Sequence, residues 1–288
     1  MQKRDILNSP RLLEIKKRRR KIFLRKFSIF VFLVLVLIAS LTYLSRLSRL
    51  NIAEIKISGN QVTETENIKN VVNDTLSGNY FWFFPKTNIF LYSKNKIIEA
   101  LATKFQRLKD VNIKTDQNRV LEISVTERIP KYTWCGEVLP DNADGISSCY
   151  FLDDTGFIFD EAPQFAGSVY FKFFGKTTGN ENPIGSAIIP DYFKDFILFK
   201  NSLENIGIKP VGFYRIGDGY AKIYLSSNTT SFGPEIIFKE NSDFQKLSEN
   251  LQSALDVEPF HTDFVKKYYS LLYINLSFGN KVVYKFKP

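Results

Sequence analysis

The segment FSIFVFLVLVLIASLTYLS, residues 27–45, decides how the rest of the chain is arranged. Its nineteen residues carry no charge, and as a helix they would span roughly 28 Å, the thickness of a bilayer's hydrocarbon core. A buried core helix is one alternative, but no face of the segment is polar. A cleaved signal peptide is the other, but the apolar run is long and no A-x-A pattern follows it. The sequence therefore predicts an uncleaved transmembrane helix.

The positive charge of the chain is concentrated before this segment. Residues 1–26 hold eleven Lys and Arg against Asp5 and Glu14, which accounts for the whole net charge of +9. The positive-inside tendency then predicts a cytoplasmic tail at 1–26, with Arg46 and Arg49 on the far side outnumbered. Because the rest of the chain sums to about zero, we do not expect it to bind nucleic acid.

The region 51–128 has the pattern of a small α+β domain. The expected elements are a strand at Ile52–Ile57, a helix after Thr63, a helix at Lys94–Phe105, and strands around Val111–Ile113 and Leu121–Val125. Thr63 and Glu66 predict a capping box at the first helix, and Gly78 is a natural residue to end it. This order predicts two helices against one face of a three-stranded sheet.

The region 129–288 is predicted to form a second α+β domain with a mainly antiparallel sheet. Its expected strands are Lys131–Cys135, Cys149–Asp153, Gly156–Asp160, Val169–Phe173, Gly212–Ile216, Tyr220–Leu225, Glu235–Lys239, Tyr273–Phe278 and Lys281–Phe286. Its expected helices are Asp191–Asn205, Asp243–Leu255 and Thr262–Leu271.

The two cysteines, Cys135 and Cys149, both follow the apolar segment and are expected outside the cytoplasm. A pair in that setting can oxidise, and the segment between them has the pattern of a long hairpin loop that would bring them together. Two reduced, buried thiols are the alternative, and the sequence leaves both open.

Candidate catalytic and metal-binding residues are few. His261 is the only histidine and there is no CxxC, so a zinc site lacks ligands. Asp154-Thr155-Gly156 matches the aspartic-protease tripeptide but occurs once, where it reads as a hairpin turn. Gly217-Asp218-Gly219 lacks the context of a dinucleotide loop, and 141–145 lacks the spacing of a calcium loop. We therefore expect no enzymatic activity, no metal and no cofactor.

Several short motifs, in a fixed order, carry a resemblance to a known family. They are IKISGN (55–60), NIF (88–90), Ile98, Leu101, VNI (111–113), LEISVTERIP (121–130), Trp134, YFLDDTGFIF (150–159) and YINLSF (273–278). Together with the tail and anchor, they resemble the bacterial cell division family FtsQ/DivIB over nearly the whole chain. Asn275 and Ser277 depart from it, because the family usually has Asp and Arg there.

The resemblance implies a POTRA-like β-α-α-β-β domain at 51–128, a β-rich domain at 129–288 and a location in the cytoplasmic membrane at the division septum. It also implies a non-enzymatic scaffold whose partners are small coiled-coil membrane proteins of the FtsB/DivIC and FtsL type. Two rivals remain. A POTRA-bearing outer-membrane assembly factor would need several such units and a barrel, and a membrane-anchored hydrolase would need a catalytic set.

The last strand is the predicted partner site. Along Lys281–Lys287, Val282, Tyr284 and Phe286 alternate with lysines and Val283. A partner segment could add to this strand if it lies at a sheet edge, with Phe278 and Tyr284 as aromatic anchors. The resemblance favours this, because the family is thought to bind its coiled-coil partner near this end. Alternatively, the lysines only protect the edge from aggregation.

Five consecutive aromatic residues, Tyr80, Phe81, Trp82, Phe83 and Phe84, lie between the first two predicted helices of the outer region. One interpretation is that they cap the core of the small domain. The other is that they lie at the membrane interface, where amphipathic aromatic rings are enriched.

Overall fold

The computed structural model describes residues 10–116, 119–140, 148–165, 169–179, 182–227 and 232–288, with side chains from residue 14. The chain is a mixed α+β protein with one long N-terminal helix and a large mixed sheet. It divides into two compact units, Met1–Lys104 with Asp110–Thr126, and Phe105–Lys109 with Glu127–Pro288. The second unit takes over at Glu127, two residues before the predicted start of the second domain at 129.

Helix α1, Pro10–Ser45, contains the apolar segment and is long and apolar enough to cross a membrane. Side chains from residue 27 to residue 41 are all exposed, so the segment buries nothing against the described part of the chain. This removes the core-helix alternative, since a core helix would be covered by protein. The C-terminal end of the helix is held by two hydrogen bonds, since Asn51 and Asn88 each donate from Nδ2 to the Ser45 carbonyl at 3.0 Å.

The first unit combines a three-stranded sheet with two helices. Its elements are β1 Glu54–Ser58, α2 Thr65–Leu76, β2 Asn79–Tyr80, β3 Phe84–Pro85, α3 Lys94–Lys104, β4 Leu108–Thr115 and β5 Val120–Glu127. β5 lies between β4 and β1, and β1 pairs with it in parallel. Alternate β5 residues are buried, as predicted, together with one stripe of each helix. Gly59 is required because a Cβ there would lie 2.1 Å from the Val125 carbonyl oxygen.

The predicted capping box at α2 is wrong. The helix begins at Thr65, and its N-cap is Glu64, which makes no capping hydrogen bond through its side chain. Asn60 organises this turn instead, because its Nδ2 donates to the Thr63 carbonyl and to Thr65 Oγ1. The predicted end holds, with Ser77 as C-cap and Gly78 after it at φ +82°.

The second unit is built on the large sheet. Its strands are β6 Tyr132–Trp134, β7 Cys149–Leu152, β8 Ile158–Ala162, β9 Lys172–Phe174, β10 Pro210–Gly217, β11 Tyr220–Leu225, β12 Glu235–Lys239, β13 Leu271–Phe278 and β14 Lys281–Phe286. Its helices are α4 Phe193–Asn205, α5 Phe244–Leu255 and α6 Phe260–Lys267. Within the described residues these nine strands form one sheet in the order β14-β13-β12-β11-β10-β9-β6-β7-β8.

The sheet is more mixed than the sequence predicted. Among its described pairings, β9 with β10, β6 with β9, and β12 with β13 are parallel, and the other five are antiparallel. The helices between the strands explain two of these three parallel pairings. α4 connects β9 to β10, and α5 with α6 connects β12 to β13, so each helical crossover returns the chain to run in the same direction.

Aromatic side chains dominate the core between this sheet and its helices. Phe196 of α4 lies 4.7 Å from Phe213 and 5.7 Å from Phe173, measured between ring centroids. Phe238 and Phe244 pack at 5.7 Å in the same cluster. Edge-to-face contacts of this kind add about 1 kcal/mol each to the burial of the rings. The core therefore fixes α4 and α5 against the middle of the sheet.

Cys135 and Cys149 form a disulfide. The antiparallel pairing of β6 with β7, which matches Trp134 with Tyr150, brings the two cysteines opposite each other. Part of the connecting loop, residues 141–147, lies outside the described residues.

Replacing both cysteines by serine should lower the free energy of unfolding by up to about 3 kcal/mol, since the bridge closes a ring of fourteen residues' separation. Urea unfolding of the full chain in detergent, followed by Trp134 fluorescence in a Trp82→Phe background, measures this. Wild-type protein under reducing conditions is the matched control and should unfold at the same urea concentration as the double variant. An unchanged midpoint in both would contradict the expectation.

Candidate functional site

β14 is the edge strand at one end of the large sheet, among the strands that the structure describes. It pairs antiparallel with β13, with Val283 opposite Asn275 and Lys285 opposite Tyr273. The turn between them is held by Asn250 of α5, whose Nδ2 donates to the Gly279 carbonyl at 3.1 Å. The hairpin is therefore fixed at its turn as well as along its length.

The backbone of β14 alternates between its neighbour and the open edge. The Lys287 N–H donates to the Ser270 carbonyl at 2.6 Å, so residues in phase with Lys287 point their backbone groups at β13. The out-of-phase residues, Val282, Tyr284 and Phe286, then point theirs outward, because successive strand residues alternate. Three N–H and three C=O groups face the edge in a regular strand spacing.

The four predicted partner-binding side chains occupy two different settings. Val282, Tyr284 and Phe286 are half-buried and pack against the core, and Tyr284 stacks on Phe260 of α6 with a centroid distance of 3.9 Å. Phe278 is 59% exposed. Only Phe278 therefore offers an accessible aromatic ring, whereas the other three offer mainly their backbone.

A bulge in β13 turns Phe278 outward. The register with β14 shifts between Asn275 and Phe278, and Asn275 Oδ1 accepts a hydrogen bond from the Ser277 N–H at 2.9 Å. Bulges re-aim side chains at sheet edges in this way. The remaining surface of β14 carries the exposed residues Lys281, Val283, Lys285 and Lys287, so a basic stripe lies beside Phe278.

The Asp154-Thr155-Gly156 turn is built around its neighbour Asp153. Asp153 is 1% exposed, and its Oδ1 accepts from the Thr155 N–H, Thr155 Oγ1 and the Phe157 N–H. Its Oδ2 pairs with Arg128, whose guanidinium also lies 4.1 Å from the Phe157 ring centroid. Gly156 is needed at φ +81°, because a Cβ would lie 2.5 Å from the Phe193 ring.

This environment keeps Asp153 ionised. Burial acts to raise the pKa of its carboxyl, but hydrogen bonds from Thr155, Phe157 and Arg128 outweigh burial and hold it below the ordinary value of 3.8. Asp154, the aspartate of the protease-like tripeptide, has a 62% exposed side chain and lies 3.3 Å from Lys109 Nζ. The turn is thus organised by a carboxylate whose acceptor positions are occupied.

The remaining candidate residues are dispersed. His261, the second residue of α6, is exposed, and its Nδ1 lies 2.9 Å from the Leu255 carbonyl oxygen. Asp218 occupies the turn between β10 and β11. Residues 141–145, considered as a calcium loop, lie within 141–147, outside the described residues. No group of three or more His, Cys, Asp or Glu that could hold a metal occurs among the described residues.

The five consecutive aromatics form a tight two-stranded turn. β2 and β3 pair Tyr80 with Phe84, and the Phe83 N–H donates to the Tyr80 carbonyl. Tyr80 and Phe84 are half-buried, whereas Phe81 and Trp82 are 85% and 88% exposed and Phe83 is 51% exposed. Capping of the core thus fits only the first and last of the five. We call Phe81, Trp82 and Phe83 the aromatic turn.

Comparison of the chain with models of known protein families gives no match, and comparison with curated proteins gives none either.

Replacing Asp153 by Asn should destabilise the second unit by about 3 kcal/mol, because it leaves Arg128 buried without its counter-charge. The lowered pKa means that this contribution is complete above 3.8 and is lost as pH falls through the lower folded-state pKa. The difference between variant and wild type should therefore shrink in acid. Urea unfolding followed by Trp134 fluorescence at pH 7 and at low pH measures both values.

Asp154→Asn is the matched control, since it removes the neighbouring exposed carboxylate. Its effect should stay below about 0.5 kcal/mol. If the two variants lose equal stability at pH 7, the Arg128–Asp153 pair does not have the role assigned to it.

Proposed function

We propose that this chain is a membrane-anchored, non-enzymatic scaffold of the bacterial division septum, similar to FtsQ/DivIB, which binds a small coiled-coil membrane partner along β14. The observation that carries the proposal is an open sheet edge with regularly spaced outward backbone groups and an exposed Phe278 beside it. In this proposal α1 is a single-pass anchor, the basic tail is cytoplasmic, and residues 47–288 lie outside.

The arrangement of the first unit supports the resemblance. A POTRA-like domain has the order β-α-α-β-β, and here β1, α2, α3, β4 and β5 follow in that order, apart from the short β2–β3 turn. β5 lies centrally and receives β1 in parallel. In the second unit, two motifs of the resemblance meet in one ion pair, which joins Arg128 of LEISVTERIP (121–130) to Asp153 of YFLDDTGFIF (150–159).

Strand addition suits the β14 edge for three physical reasons. Each outward N–H and C=O gains a partner when a second strand docks, so main-chain hydrogen bonds supply affinity. Phe278 can bury its ring against the incoming segment, as aromatic residues at binding hot spots do. Lys281 and Lys285 favour acidic residues on the partner, mainly by raising the association rate.

The two rival functions have less support. An outer-membrane assembly factor needs a terminal barrel, whereas the described strands of the second unit form an open sheet with β14 and β8 at its ends. For a hydrolase, Asp154 would be the candidate acid, but it faces Lys109 at the surface. Depletion of the protein separates the first rival, because filamentous cells favour division and outer-membrane defects favour assembly.

Replacing Val282 by Pro should weaken binding of the partner's outer segment at least tenfold, about 1.4 kcal/mol, because it removes an outward N–H from the edge. Val282→Ala is the matched control, since it loses the side chain but keeps the donor. Phe278→Ala should weaken binding by a similar factor through loss of the ring. Titration of the full-length variants in detergent with the labelled partner segment measures the three dissociation constants.

Circular dichroism is the test that each variant is folded, which matters because Val282 also touches the core. Equal affinities for folded Val282→Pro and Val282→Ala would exclude strand addition at this edge. Wild-type affinity for Phe278→Ala would remove the ring as an anchor.

A protease added to the outside of intact spheroplasts should digest residues 47–288 and spare the basic tail. The reason is that eleven basic residues precede the apolar segment, whereas only Arg46 and Arg49 follow it closely. Immunoblotting with antibodies against each end of the chain measures the fragments. Protection of the folded region, with digestion of the tail, would reverse the proposed orientation.

A further inference from the structure

The aromatic turn exposes large apolar rings in a backbone conformation that does not suit them. Phe81 and Trp82 have φ values of +47° and +70°, and the Tyr80 carbonyl accepts from the Phe83 N–H at 3.1 Å. A turn with two successive positive φ values is normally made by Asn-Gly or Gly-Gly, because a Cβ is crowded there. Burial of the rings does not offset this unfavourable backbone conformation, since both rings are more than four-fifths exposed.

Direct hydrogen bonds place this region beside the outer end of α1. Asn88, which is 3% exposed, donates from Nδ2 to the carbonyl of Ser45, the last residue of α1. The Ile89 N–H donates to the Leu50 carbonyl at 2.9 Å, and the Ile52 N–H to the Thr87 carbonyl at 2.9 Å. β3, which leads out of the aromatic turn, contacts α1 itself. The turn is thus tied to the point where the apolar helix ends.

The surroundings of the turn have the composition of a membrane-interface segment. Phe90 and Leu91, which follow the tethered Asn88 and Ile89, are 76% and 42% exposed. The stretch from 77 to 98 contains Lys86, Lys94 and Lys96 and no Asp or Glu. Lys96 Nζ lies 6.0 Å from the centroid of the Tyr80 ring. Exposed aromatic rings with basic residues around them match the boundary between acyl chains and headgroups.

We propose that the aromatic turn, with Phe90, inserts into the outer interface of the same bilayer that α1 spans, so that the first unit is held to the membrane at two points. This rests on the proposed transmembrane anchor and goes beyond the scaffold function. The lipid bilayer is the inferred partner because the turn is fixed to the end of the membrane helix. Insertion also accounts for the exposed Phe-Trp pair, because the rings gain an apolar environment only after insertion.

Tryptophan quenching by brominated lipids tests the proposal in the full-length protein. The chain has two tryptophans, Trp82 and the buried Trp134, whose Nε1 donates to the Gly175 carbonyl. The protein and its Trp82→Phe variant are reconstituted, without any other protein, into phosphatidylcholine–phosphatidylglycerol vesicles with or without bromines on the upper acyl chain. The difference between their emissions reports Trp82, and the variant alone reports Trp134.

The Trp82 emission should fall by more than half in brominated vesicles, whereas the Trp134 emission should fall by less than a tenth. A variant with Phe81→Ser and Phe83→Ser, which keeps Trp82, should show at least twofold weaker quenching. Tyr269→Ser, which removes an aromatic ring that is 66% exposed in the second unit, is the matched control and should quench like wild type.

If Trp82 is quenched by aqueous iodide but not by brominated lipid, the proposal is overturned. The turn then faces solvent and is accessible to a protein partner instead of the bilayer. Flotation of the vesicles after an alkaline carbonate wash separates this result from failure of the anchor. Protein that floats without lipid quenching overturns the insertion alone. Protein that is released by the wash overturns the anchor and the insertion together.

Discussion

The ion pair between Arg128 and Asp153 is the constraint at which the chain enters the large sheet. Both side chains are almost buried, and such a pair is tolerated only when its remaining hydrogen-bonding positions are filled. They are filled here by the Asp153 turn and by the Gln106 carbonyl, which accepts from Arg128 Nε. The pair fixes the start of β6, where the Lys131 N–H donates to the Leu152 carbonyl. It thereby holds one end of the β6–β7 ladder, and the Cys135–Cys149 disulfide holds the other.

The elements of the fold could be predicted from the sequence where a local pattern determines them. Alternation along β5 and the Asp243 cap of α5, which accepts from the Lys246 N–H, are examples of such patterns. The capping box was wrong because the helix begins at Thr65, with Glu64 and not Thr63 at its N-cap, and Asn60 binds the turn from outside the expected motif. The parallel strand pairs were missed because alternation reports which face is buried and not strand direction. For β9–β10 and β12–β13 that information lay in the intervening helices, which impose crossovers.

The candidate site was predictable in outline and not in detail. The last strand does lie at an edge, as its position and lysines indicated, but Tyr284 is covered by Phe260, a contact between distant segments. Sequence placed the start of that helix at Thr262 and so left Phe260 outside it, whereas α6 begins at Phe260. Five consecutive aromatics have no periodicity, so the sequence could not show which of them are buried and which are exposed. The tight turn at Phe81 and Trp82 separates the exposed rings from the half-buried ones.

The lysines of β14 would serve both protection of the edge and the partner binding proposed for it. If two copies of this chain paired edge to edge through β14, lysines would face lysines across the new interface, and that pairing would be disfavoured. An acidic partner strand meets the opposite situation, because the same lysines then attract it. Specificity arises from this difference between the wrong and the right partner. The two interpretations of the lysine stripe are therefore compatible, because the charge that disfavours self-pairing would favour the acidic partner strand of the proposed function.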